Sequence, residues 1–223
     1  MIELTAKTVV LDLDDTLYLE RDFARSGYAA VGLSLSHLLD SESFATVCYE
    51  LLAIGHRGDI FDRALDYFGI APEDRDVPEL VRIYREHEPE IALCPDVPAF
   101  LDRFAGKRLA LVSDGPADMQ ERKLRALGIA DRFDHCILTG RWEGDFGKPH
   151  PRAFAEIQER SGHAPDEHVY IADNATKDFL APNSMGWLTI QLYRPGRIHN
   201  KPPPSEDHAP RLSLTDMKDL KPA

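Results

Sequence analysis

The chain predicts an α/β fold, a Rossmann-like, doubly wound parallel sheet that carries an inserted all-α helical cap. Three observations predict it. Four short apolar runs, each ending in a polar loop, alternate for most of the chain with helical periods. The stretch between the first and second runs holds four helical patterns in succession and no strand. The 223 residues, 43% hydrophobic and 29% charged, are enough for one ample core and an inserted module.

The first strand is read in TVVLDLD (8–14), a buried apolar run that ends in carboxylates. Residues 20–90 follow with one-sided apolar faces. The first joins Tyr28, Val31, Leu35, Leu38 and Leu39, and the second Phe44, Val47, Cys48, Leu51 and Leu52. Ile60, Phe61, Ala64, Leu65 and Phe68 form the third, and Leu80, Val81 and Tyr84 the fourth. Such a run does not fit inside an alternating sheet, so 20–90 reads as the helical cap domain and 1–19 with 91–200 as the core.

The core resumes with a helix at Val97, Phe100, Leu101 and Phe104, opened by Pro95 and Asp96. The strand RLALVSDG (108–115) comes next, then a helix over 117–127 that Gly128 stops. HCILTG (135–140) is a weaker strand. A helix over 151–160 starts at Pro151, and HVYIADN (168–174) and WLTIQLY (187–193) complete the sheet. Residues 201–223 read as a separate proline-rich tail, extended through KPPPSEDHAP with a short helix at its end.

The formal charge of −12 argues against nucleic-acid or anionic-membrane partners. No apolar run approaches the ~18 residues of a membrane span. The start MIELTAKTVV has no secretory-signal pattern. Cys48, Cys94 and Cys136 are odd in number, far apart and form no CxxC, which points to a reducing cytoplasm and away from a disulfide framework or zinc.

In open α/β sheets ligands sit beyond the carboxyl ends of the strands. The polar residues there are Asp12 and Asp14 after the first strand, Ser113 after the second, and Asp173 and Asp178 after the fourth. Lys148 joins them from the loop GDFGKPHP (144–151). Hard carboxylate oxygens without His or Cys favour Mg²⁺. A carboxylate beside that cation can attack phosphorus, a second carboxyl can protonate the leaving oxygen, and a lysine and a hydroxyl can hold the phosphoryl oxygens.

These residues, in DLDDTL (12–17), LVSDG (111–115), GKPHP (147–151) and ADNATKD (172–178), resemble the four ordered motifs of the haloacid dehalogenase (HAD) superfamily. The helical insert is similar to the cap of its phosphoglycolate-phosphatase-like branch. The resemblance implies a Mg²⁺-dependent phosphatase acting on a small phosphate ester through an aspartyl-phosphate. It makes Asp12 the nucleophile and Asp14 the general acid and later base. Mg²⁺ would be bound by Asp12, Asp173 and the backbone carbonyl of Asp14. Asp178 would support the metal's waters or pair with Lys148.

Asp14 separates this chain from haloacid dehalogenases, which lack an acid at that position because halide leaves without a proton. A phosphomutase acting on a sugar phosphate is the nearest alternative, and an inactive HAD-like binding protein an alternative of another class. Candidate substrate contacts are Asp114, Gly115 and Asn174, with Arg57 in the cap. Asp114 stands where Asn is frequent and is expected to add negative charge near the phosphate. The carboxylate neighbours are expected to raise the pKa of Asp14. Asp15 reads as structural. Oligomeric state is not legible.

Overall fold

The computed structural model describes residues 1–223 and divides into two compact units, Met1–Glu20 with Ala92–Ala223, and Arg21–Ile91. The first unit is built on a six-stranded, all-parallel sheet. Its strands are β2 (Thr8–Leu11), β3 (Arg108–Ser113), β4 (His135–Leu138), β5 (His168–Ala172), β6 (Leu188–Leu192) and β7 (Leu212–Leu214), in the order β4-β3-β2-β5-β6-β7. β2 and β5 are buried along their whole length, which is why they read as continuous apolar runs rather than alternating ones.

Between the strands run α5 (Val97–Arg103), α6 (Ala117–Ala126), α7 (Arg152–Ser161) and α8 (Leu180–Ser184). α7 lays Ala153, Phe154 and Ile157 onto Val10, Val112 and Tyr170 of the sheet. It stops at Gly162, whose φ of +67° is a left-handed turn that side chains rarely adopt. Buried Trp187 joins this core and donates its indole N–H to Gln158 Oε1 at 2.8 Å, so its polar edge is satisfied.

The second unit contains α2 (Ser41–Ala53), α3 (Ile60–Tyr67), α4 (Val77–Glu86) and all of α1 (Glu20–Ser34) after its first residue. Asp40 caps α2 and Asp76 caps α4, each accepting a first-turn backbone N–H. Phe23, Tyr28, Phe61 and Tyr84 form its aromatic centre. The first helix ends earlier than its apolar period suggested. Leu38 lies beyond α1 in a turn and is 52% exposed.

The tail differs most from expectation. It contributes β7 to the main sheet, and β8 (Leu220–Pro222) pairs in parallel with β1 (Ile2–Leu4), a strand missed in the sequence. A 3₁₀ turn at Met217–Asp219 stands where a terminal helix was expected. Prolines dominate the composition of 201–210, but the short apolar residues after them decide the packing, with Met217 and Leu220 fully buried. A buried ion pair fastens this end. Arg194 Nη1 lies 2.7 Å from both Asp96 oxygens, and Asp96 Oδ2 also accepts the Met217 N–H at 2.7 Å. The same guanidinium donates to the Thr16 carbonyl at 2.9 and 3.1 Å, so the ion pair that receives the tail also braces the loop that follows β2. No helix is long and apolar enough to cross a membrane.

Candidate active site

Strand order fixes the place of the site. β2 sits mid-sheet with β3 on one side and β5 on the other, and the loops leaving their carboxyl ends converge. Asp12 follows β2 directly, its N–H donating to the Ile171 carbonyl at 3.0 Å. Asp173 directly follows β5. One ligand oxygen from each of Asp12, Asp173 and Asp178 falls within 4.8 Å of the others, and all three residues are buried.

Lys148 enters from the loop before α7 and is buried. Its Nζ lies 2.8 Å from Asp12 Oδ1, 2.9 Å from Asp178 Oδ1 and 3.0 Å from the Tyr170 hydroxyl. Burial alone would discharge the ammonium, but Asp12 and Asp178 outweigh it and hold its pKa well above the ordinary value. The carboxyls show the converse. Burial, opposed by Lys148 and reinforced by Asp178, pushes Asp12 up to about 7. Asp173 is raised well above its usual range by burial and then by Asp178 and Asp12, and its Oδ2 is buried without a hydrogen-bond partner. An oxygen-only donor set with an orphaned carboxylate oxygen fits a hard divalent cation.

Asp14 does not join this cluster through its side chain. Its Oδ1 lies 2.7 Å from Lys123 Nζ and accepts from the Tyr18 hydroxyl, while Oδ2 accepts from Gln120 Nε2 at 2.8 Å. Burial pushes its pKa up, but Lys123 and these hydrogen bonds prevail, and the carboxyl sits below the ordinary range. The expectation of a raised value is thereby corrected. It counted the neighbouring carboxylates and missed the lysine.

Asp114 brings the negative charge expected of it, and the fold pairs that charge. Its carboxylate accepts from Thr139 Oγ1 at 2.9 Å, from the Lys148 N–H at 3.1 Å and from Lys177 Nζ at 2.9 Å. Burial opposes ionisation, yet Lys148 and Lys177 bring its pKa down to about 2, so its added charge is matched rather than bare. Ser113 Oγ accepts from Gln120 Nε2 at 2.5 Å. Gly115 lines the pocket with a φ of +104°. Asn174 turns its side-chain oxygen to Thr176 and donates its N–H to Asp178 Oδ2 at 2.8 Å, which shapes the loop. Arg57 lies in the second unit, its guanidinium donating to the Leu52 carbonyl of α2 and the neighbouring His56 carbonyl.

Asp15 is buried with a left-handed φ of +51°, and both its oxygens serve the backbone. Oδ1 accepts the Glu20 N–H at 2.9 Å and Oδ2 the Ile198 N–H at 2.6 Å. Asn at this position keeps one acceptor and sets an NH₂ against the other N–H. Asp15→Asn is therefore expected to cost roughly 1–3 kcal/mol in denaturant unfolding and to lower turnover far less than changes at Asp12. A folded variant as inactive as Asp12→Asn would refute this division of the aspartates.

The pocket encloses about 250 Å³ and is lined by Asp12, Asp14, Asp114 and Asp173 together with Glu20, Lys123, Lys177 and His199. The last four were not singled out from the sequence as site residues. Gln120 and Lys123 had a legible signal, since they share the i, i+3, i+4, i+7 face with Leu124 and Leu127, and all four are buried. Lys177 stands beside Asp178 within the last motif. His199 Nε2, 3.3 Å from Glu20 Oε2, depends on a long return of the chain that no local pattern shows.

Known proteins share this arrangement of chain. A phosphoserine phosphatase from Thermus thermophilus is 31% identical over 74% of this chain, a match spanning 63% of that protein's own length. A glyceraldehyde 3-phosphate phosphatase from Methanothermobacter thermautotrophicus is 29% identical, covering 82% of this chain and 84% of that one. An (S)-2-haloacid dehalogenase from Xanthobacter autotrophicus matches at 26% over 49% of this chain and 41% of its own. The fold matches that of the putative HAD-hydrolase YfnB from Bacillus subtilis, with a TM-score of 0.71, 17% identity and 96% coverage of both chains. The family model for haloacid dehalogenase-like hydrolases spans residues 6–186, from just before β2 to beyond the last acidic motif. The chain therefore belongs to the haloacid dehalogenase-like hydrolases.

Proposed function

We propose that this hydrolase is a Mg²⁺-dependent phosphatase that removes phosphate from a small soluble ester in the cytoplasm. The observation that carries the reading is the pairing of two differently housed carboxyls, Asp12 in the oxygen cluster and Asp14 outside it, on one loop of one pocket. Asp12 attacks phosphorus in line and the P–O bond to the alcohol breaks. Asp14, ionised in the free protein, takes up a proton as the ester enters and gives it to that oxygen. Water, relieved of a proton by Asp14, then displaces phosphate from the aspartyl-phosphate on Asp12. Lys148 holds Asp12 and, with Ser113, the phosphoryl oxygens. A bound Mg²⁺, held by Asp12, Asp173 and the Asp14 carbonyl with Asp178 behind it, would supply the positive charge that lets one anion approach another. The phosphatases among its relatives support the reading, and the acid at position 14 favours an oxygen leaving group over halide.

Release of inorganic phosphate from a panel of phosphomonoesters, three-carbon esters first, tests it with Mg²⁺ and with chelator. Absence of Mg²⁺-dependent release throughout would overturn it. Thermal unfolding gives a second readout. A carboxyl raised in the folded protein costs nothing while it is protonated in both states. The cost grows as pH climbs from the unfolded value near 3.8 through the folded value, about 7 for Asp12. The metal-free protein thus bears this penalty in full above neutrality, where a bound cation offsets it. Mg²⁺ is expected to raise Tm by several degrees at pH 8 and by much less at pH 5, with Asp173→Asn reducing the gain. Equal gains at both pH values would contradict the cluster as its binding site.

A further inference from the structure

Helix α6 buries two polar side chains where its period calls for apolar ones. Gln120 is fully buried, and the Lys123 side chain is only 3% exposed. Burying an ammonium is costly unless a charge partner uses it. Its partner here is Asp14, 109 residues away in sequence, with Lys123 on one carboxylate oxygen and Gln120 on the other. Two groups on successive turns of one helix thus grip both oxygens, and Tyr18, four residues after Asp14, donates to Oδ1 as well. The Gln120 amide also reaches Ser113 Oγ, so one side chain links the proposed acid to a proposed phosphate-holding hydroxyl.

Resting on the phosphatase reading, we propose that Gln120 and Lys123 are positioning residues for Asp14. They fix the plane of its carboxyl relative to the oxygen that leaves phosphorus. Neither touches the reacting atoms. A carboxyl free to rotate about its two side-chain bonds would meet the leaving oxygen in only a fraction of its orientations, and proton transfer demands hydrogen-bond reach and alignment.

This role has a signature that plain structural support lacks. The value of kcat/KM reports the steps up to departure of the alcohol, and so excludes hydrolysis of the aspartyl-phosphate. A poor leaving group needs the proton, whereas a good one departs with little help. The test uses para-substituted phenyl phosphates, from phenyl to p-nitrophenyl, with Mg²⁺, wild type, Lys123→Met, Gln120→Leu and Asp14→Asn as reference. Wild type should show a shallow dependence on the leaving group. Both helix variants should lose kcat/KM across the series, at least tenfold more for phenyl than for p-nitrophenyl phosphate, and in the direction of Asp14→Asn.

Equal losses across the series, or no loss, would overturn the proposal. Gln120→Leu carries no charge change, so it decides the matter where Lys123→Met fails to fold, as judged by circular dichroism. A wild type that releases phosphate neither from these esters nor from the three-carbon panel would instead overturn the phosphatase reading, and the positioning role with it.

Discussion

Asp12→Asn should cut phosphate release by ~10⁴-fold or more while leaving a folded protein. The carboxamide matches the carboxylate in size but cannot attack phosphorus and form the acyl-phosphate bond. The fold has little reason to fail. Lys148 keeps Asp178 and Tyr170 as partners, at 2.9 and 3.0 Å, when the Asp12 charge is lost. One of three mutually repelling buried carboxylates is also removed, which offsets part of the lost ion pair. Two measurements check this together, phosphate release at saturating substrate with Mg²⁺ and the melting temperature without it. A variant that melts like wild type and keeps its activity would remove Asp12 from the mechanism.

Lys148→Met is expected to damage both stability and rate. The ammonium is the nearest cation to Asp12 and Asp178, and its side chain is 1% exposed. Taking one partner from a buried pair strands the other charges, a loss of roughly 3–5 kcal/mol, or about 6–20 °C of Tm for a chain of this size. Catalysis should fall by ~10²–10³-fold, since a preorganised cation near the transferring phosphoryl group is removed. Mg²⁺ should restore part of the Tm, because it answers the same negative charge, but not the rate. Thermal melts with and without Mg²⁺, beside the release assay, check the pair of effects. Wild-type values of both would show that Lys148 is not the cluster's counter-charge.

These two residues illustrate what can be read before packing is known. Asp12 ends an apolar strand, and the end of a buried parallel strand has only one kind of surroundings, the crevice beyond the sheet. Lys148 is legible for another reason, its place in an ordered set of motifs. The tail resisted such reading. Ser213 is one residue between Leu212 and Leu214, too short an alternation to outweigh three consecutive prolines, and its pairing with β6 depends on an edge that other strands provide.

What the sequence determined by itself is the order and type of most elements, and which carboxylates stand at strand ends. Both follow from short-range rules, the periods of helix and strand and the cost of burying charge. Tertiary structure alone decided the partners. Asp14 meets Lys123, Asp114 meets Lys177, and Arg194 joins Asp96 to Thr16. Each pairing crosses from one element to another. The pKa of a buried carboxyl depends on the charges within a few ångströms of it, and only the packed sheet and its helices bring those charges there. The sequence therefore singled out Asp12 and Asp14 of LDLDDTLY, and the fold set Asp14 apart by closing a lysine against it.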